Sequence, residues 1–90
     1  MNDLKLGKYK HYKGNFYKVL GVAKHSETLE ELAVSQALHD NPEGKLWVRP
    51  LKMFIEEIDV NGKKKPRFEF IEEWLWQELK RKYYLNILNQ

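Results

Sequence analysis

The sequence predicts a mainly β domain followed by one C-terminal amphipathic α-helix. Three observations carry this. Strand-forming residues run almost unbroken from Gly7 to Ala23, Asn61-Gly62 sits between two strand-like stretches, and an apolar stripe at helical spacing follows Phe70. A chain of 90 residues holds one hydrophobic core and no second.

Residues 1–5 lack the apolar stretch of a signal peptide and are expected to form a flexible N-terminus. Gly7 to Gly14 alternates aromatic and basic residues, as in a strand with one aromatic face, and Gly14-Asn15 turns the chain. Phe16 to Ala23 reads as a central strand, with Gly21 at a bulge or a close backbone approach. Thr28 to His39 is ambiguous. Thr28-Leu29-Glu30-Glu31 has the form of a helix capping box, yet Leu32, Val34 and Leu38 equally suit one face of a strand. Asn41-Pro42-Glu43-Gly44 is a turn, and Leu46 to Arg49 a short strand stopped by Pro50. Leu51 to Phe54 is one tight turn that swings Phe54 into the core. Ile55 to Val60 alternates, Asn61-Gly62 is a hairpin turn, and the return strand is expected from Arg67 to Phe70. In the tail, Ile71, Leu75, Trp76, Leu79, Tyr83 and Ile87 share one side of a helix spanning roughly residues 70–88. Glu72 and Glu73 near its start and Lys80, Arg81 and Lys82 later complement the helix dipole.

Composition narrows the function classes. No apolar run can span a bilayer, so no membrane role is expected. The absence of cysteine excludes disulfides, thiolate zinc sites and iron–sulfur clusters, and makes a reducing cytoplasm the expected location. The net charge of +3 is distributed as +4 over residues 1–20, −4 over 21–60 and +3 over 61–90. Two basic ends sharing a face would attract phosphate; the alternative is that the blocks neutralise one another across the fold.

Several motifs carry a resemblance. Gly7-Lys8-Tyr9, His11-Tyr12-Lys13-Gly14, Val19-Leu20-Gly21-Val22-Ala23, His25-Ser26-Glu27-Thr28, Trp47-Val48-Arg49-Pro50, Met53-Phe54 and Pro66-Arg67-Phe68 fall in an order and spacing that resembles the bacterial "domain of unknown function 1653" family, over about residues 6–69. The resemblance implies a small Src-homology-3-like β-barrel of about five strands over residues 6–69, with residues 70–90 as a helical extension outside the shared domain. It also implies that Leu32 to Leu38 is a barrel strand. Ser35 and His39 stand where that family usually places aromatics. The family carries no established activity.

Four constellations could carry chemistry. His25, Ser26, Glu27 and Thr28 form either a polar pocket or a turn held by side-chain-to-backbone bonds. Trp47 and Arg49 share a strand face and suit stacking plus bidentate carboxylate or phosphate binding. The competing expectation pairs Arg49 with Glu27 as an internal brace, in which case deleting either partner would cost on the order of 3–5 kcal/mol. Tyr9, His11, Tyr12 and Lys13, with Tyr17 and Lys18 after the turn, interleave rings and cations as single-strand nucleic-acid binders do; alternatively one tyrosine row packs inside and the lysines are solvated. Lys63-Lys64-Lys65-Pro66-Arg67 offers phosphate contacts or a solvated edge. No catalytic motif, phosphate-cradling glycine loop or metal-ligand spacing is present, so neither catalysis nor a cofactor is expected.

The expected function is a non-enzymatic binding module. Its site would lie where the His25–Thr28 turn meets Trp47 and Arg49, with Tyr9, His11, Tyr12 and Lys13 on the rim. The expected ligand is nucleic acid or another phosphate or carboxylate group. The alternative is a protein-interaction domain, homodimeric through the helix, because Trp74, Trp76, Tyr83, Tyr84, Leu85, Ile87 and Leu88 exceed what one packed face can bury.

Overall fold

The structure, a computed structural model, describes residues 4–88, with side chains described through Lys82. Seven strands and two helices follow in order: β1 (Gly7–His11), β2 (Phe16–Lys24), β3 (Glu31–Ala37), β4 (Leu46–Pro50), α1 (Leu51–Phe54), β5 (Glu57–Val60), β6 (Lys63–Pro66), β7 (Phe68–Phe70) and α2 (Glu73–Leu88). Five strands form one antiparallel sheet in the order β4-β3-β2-β1-β7, and β5 and β6 form a separate two-stranded ribbon. The domain is thus mainly β with a C-terminal helix.

The sheet curls until its two edges approach. Arg49 on β4 sits over the ring of Phe68 on β7, 5.4 Å from its centroid. Side chains join the edges there, and no backbone ladder does. The Gly21 bulge helps the curl: the β2–β3 register shifts between Val19 and Gly21, leaving Leu20 as the extra residue. Nothing lies within 4 Å of a Cβ built on Gly21, so it marks the bulge and no close approach.

The core is aromatic. Tyr9, Val19, Ala33, Leu51, Phe54 and Phe68 are buried together, with Leu4, Tyr17 and Phe70 packed against them. Phe54 stacks on Phe68 at 4.1 Å, and Tyr9 meets Phe54 and Phe70 edge-on, each at 5.2 Å. The single turn α1 delivers Leu51 and Phe54 inward as its spacing predicts. Leu4 and Lys5, expected within a flexible segment, are held: Leu4 packs on the core and the Lys5 carbonyl accepts the Tyr9 hydroxyl at 2.9 Å. The rest of that expectation, residues 1–3, lies outside the described residues.

Residues 31–37 are a strand, as the resemblance implies, and the capping-box propensity is overridden. Its core face carries Ala33, Ser35 and Ala37, while Leu32 and Val34 lie half-buried on the other. Small residues face inward because the rings of Phe54 and Phe68 fill the interior. The chain then turns at Asn41–Gly44 as expected, with the Asn41 side-chain oxygen accepting the Glu43 amide at 3.0 Å.

The hairpin at Asn61-Gly62 forms with positive φ at both residues, 54° and 81°. Its return strand is a correction. Lys63–Pro66 pairs with β5, and Phe68–Phe70 instead joins β1 as the edge of the main sheet. The three lysines tolerate a solvated ribbon, whereas Phe68 and Phe70 require the core. Helix α2 begins at Glu73, a few residues later than the apolar stripe suggests. Ile71, buried ahead of it, donates its amide to the Lys8 carbonyl at 2.9 Å. The expectation for Tyr83, Tyr84, Leu85, Ile87 and Leu88 lies outside the described side chains.

Candidate functional site

The two segments expected to meet do not form a common pocket. The His25–Thr28 turn is the tip of the β2–β3 hairpin, beyond the Lys24–Glu31 pair, and all four residues are exposed. Its polar atoms serve the turn itself. His25 Nδ1 accepts the Glu27 and Thr28 amides at 3.1 and 3.4 Å, and Thr28 Oγ1 accepts the Glu30 amide at 3.2 Å. Leu29 takes a φ of 62° to close the loop. No Glu27–Arg49 ion pair is present among the described residues. The internal brace is instead made by Arg67, which donates to the Glu56 carboxylate and whose amide bonds the Glu56 carbonyl at 3.1 Å.

Trp47 and Arg49 do share a face, and together they line a cavity of about 150 Å³ at the mouth of the curled sheet. Register explains their positions: Trp47 lies opposite Ser35 and Arg49 opposite Ala33 on β3. Tyr17, Ser35, Asn41, Val48, Phe54 and Phe68 supply the other walls. The Trp47 indole N–H donates to the Gly44 carbonyl at 3.1 Å, which fixes the ring beside the Asn41–Gly44 turn. Arg49 is half-buried, takes part in none of the described ion pairs and rests its guanidinium on Phe68.

The imidazole near Arg49 is His11, which lies beside this mouth and lines a separate cavity with Lys10, Tyr12, Lys65, Pro66 and Glu69. Its ring meets Phe68 edge-on at 4.8 Å and Tyr17 at 6.4 Å. His11 Nδ1 accepts the Lys13 amide at 3.1 Å. Burial pulls the His11 pKa below the ordinary imidazole value, and the nearby charges of Arg49, Arg67 and Lys13 lower it further. The shift is chiefly a burial effect, with the three cations as the smaller contribution. Tyr12 and Lys13 are exposed on the β1–β2 turn, with Lys13 Nζ over the Tyr12 ring at 5.8 Å. Tyr9 is no rim residue. It is 6% exposed, and burial raises its pKa while the bond to Lys5 lowers it.

Phe68, Ser35 and Asn41 line the mouth without having been proposed as site residues from the sequence, and Tyr17, read there as part of the aromatic–basic row, lines it too. Phe68 was legible as a motif residue, but only the curl of the sheet brings it under Arg49. Among the described residues no group of three His, Asp or Glu side chains is placed to hold a metal, and no helix is long and apolar enough to cross a membrane.

Comparison with known proteins agrees with this architecture. No curated protein matches the chain. A crystal structure of a DUF1653 protein from Bordetella bronchiseptica is similar at 33% identity and a TM-score of 0.73, covering 77% of this chain and 88% of that one. The family model described as "Protein of unknown function (DUF1653)" matches residues 7–70, which is most of the chain and runs from the first strand to the last. The chain belongs to the DUF1653 family.

Proposed function

We propose that the protein is a non-enzymatic binding module whose barrel mouth takes an anionic group, a phosphate or carboxylate, on Arg49. The observation that carries this reading is the half-buried Arg49 guanidinium, outside every described ion pair and seated on Phe68 beside Trp47. A cation held without a counter-ion is pre-organised for an anion, because its planar fork loses little freedom on binding. The neighbouring Trp47 ring suits a planar group attached to that anion, such as a nucleobase. The cavity of about 150 Å³ suits a head group and leaves a longer ligand to run over Tyr12 and Lys13. The absence of cysteine suits a bacterial cytoplasm.

Titration of labelled single-stranded nucleic acid, and separately of inorganic phosphate and acetate, at several salt concentrations tests this reading. Binding that weakens with salt, shifts the Trp47 and His11 resonances and is lost in Arg49→Gln supports it. Unchanged resonances at low salt refute it.

A second reading, self-association through α2, is favoured by Trp74, which is 68% exposed on a helix outside the barrel. Light-scattering mass measured across a concentration series decides it. A constant monomer mass excludes it, and a dimer that Trp74→Gln dissociates supports it.

A further inference from the structure

A further cavity lies away from the barrel mouth, between α2 and the sheet. It has a volume of about 440 Å³ and is lined by Gly14, Asn15, Phe16, Leu38, His39, Trp76 and Lys80. The way α2 docks creates it. The helix start is pinned to β1 by the Lys8–Glu73 ion pair at 3.2 Å and by the Ile71 amide on the Lys8 carbonyl. Trp76 then meets Phe16 edge-on at 5.4 Å, with Lys8 Nζ over its indole at 5.9 Å. One turn later Lys80 is half-buried over the gap that opens towards the Gly14–Asn15 turn. The opposite wall is fixed because the Leu38 amide donates to the Phe16 carbonyl at 2.9 Å.

The chemistry of this cleft is asymmetric. Its walls are the rings of Phe16 and Trp76 and the side chain of Leu38, while Lys80 and His39 are its basic groups and no carboxylate lines it among the described residues. Lys80 joins none of the described ion pairs, although its charge acts on Glu73 two turns earlier and, behind the hydrogen bonds from Lys8 and Gln77, helps hold that carboxyl below its ordinary pKa. The His39 ring packs edge-on against Tyr17 at 5.3 Å and its Nδ1 is sealed from solvent, so His39 contributes wall rather than an open polar group. An apolar chamber of ligand size with a cation at one side selects an apolar body carrying one negative charge. We infer that the cleft between α2 and the sheet binds a small amphipathic monocarboxylate, its apolar body against Phe16, Leu38 and Trp76 and its carboxylate on Lys80. The helix lies beyond the residues the family model matches, so this site would be a property of the chain's extension and separate from the mouth at Arg49.

Titration with octanoate, followed at the Trp76 indole N–H resonance, is the test, with 1-octanol as the uncharged tail and acetate as the bare head group. Octanoate is expected to shift Trp76 saturably. Lys80→Gln should weaken it at least tenfold, Lys80→Arg should restore it, and Arg49→Gln should leave it unchanged. The 1-octanol affinity should be weaker and the same in all four proteins, and acetate should not shift Trp76. A Trp76 resonance unmoved by octanoate, equal octanoate affinity with and without the Lys80 charge, or loss of binding in Arg49→Gln overturns the inference.

Discussion

Phe54 shows how much a single side chain carries in so small a core. It is 2% exposed, stacks on Phe68 and meets Tyr9 edge-on. Phe54→Ala is expected to cost about 3–5 kcal/mol in urea unfolding, since the neighbouring rings cannot collapse into the space. Charged residues separate by partner. Glu56 answers the mostly buried Arg67, so Glu56→Gln should destabilise by about 1 kcal/mol, while exposed Glu27→Gln should stay within about 0.5 kcal/mol. Equal losses would restore Glu27 as the brace. His11 sets a pH dependence. Its folded pKa lies below the unfolded value of about 6.5, so the unfolded chain binds the extra proton and stability falls as pH drops through that value. His11→Asn should flatten the acid limb. An anion on Arg49 would weaken the cationic field and raise the His11 pKa, which a proton-resonance titration with and without phosphate would read.

At the scale of the element, local chemistry predicted turns better than partners. Asn61-Gly62 formed the hairpin its residue types require. Because Gly62 has φ 81°, Gly62→Val should cost about 1–2 kcal/mol and speed amide exchange in β5 and β6 without disturbing the main sheet. The strand paired across that turn was misassigned in the sequence reading. Lys63–Pro66 lacks an apolar side chain apart from Pro66, so no hydrophobic pattern announces it, and its pairing rests on backbone bonds at an exposed position. Residues 31–37 illustrate the converse. Helix-forming residues adopt a strand because two neighbouring strands satisfy their backbone and place Ala33, Ser35 and Ala37 under the core rings. The His25–Thr28 turn looked like a pocket because polar residues clustered there, yet a hairpin tip can spend those same groups on its own amides.

Across the whole molecule, the contact of Arg49 with Phe68 would join stability to the proposed anion binding: the guanidinium that bridges the sheet edges is also the cation at the mouth. Arg49→Lys, which keeps charge but loses the planar fork, should retain the fold and weaken anion binding, a split that calorimetry and thermal unfolding together would resolve. The apolar periodicity, turn residues and family motifs by themselves determined a β domain with a trailing helix, the inward Phe54 and the shared face of Trp47 and Arg49, and narrowed Gly21 to a bulge or a close backbone approach. These are consequences of short-range geometry, in which neighbours along the chain dictate each other's direction. Only the tertiary structure decided that His11 and not His25 faces Arg49, that Arg67 and not Arg49 holds a glutamate, and that α2 leaves a chamber beside Trp76. Those outcomes depend on how far the sheet curls, a property summed over all five strands and therefore written in no single segment.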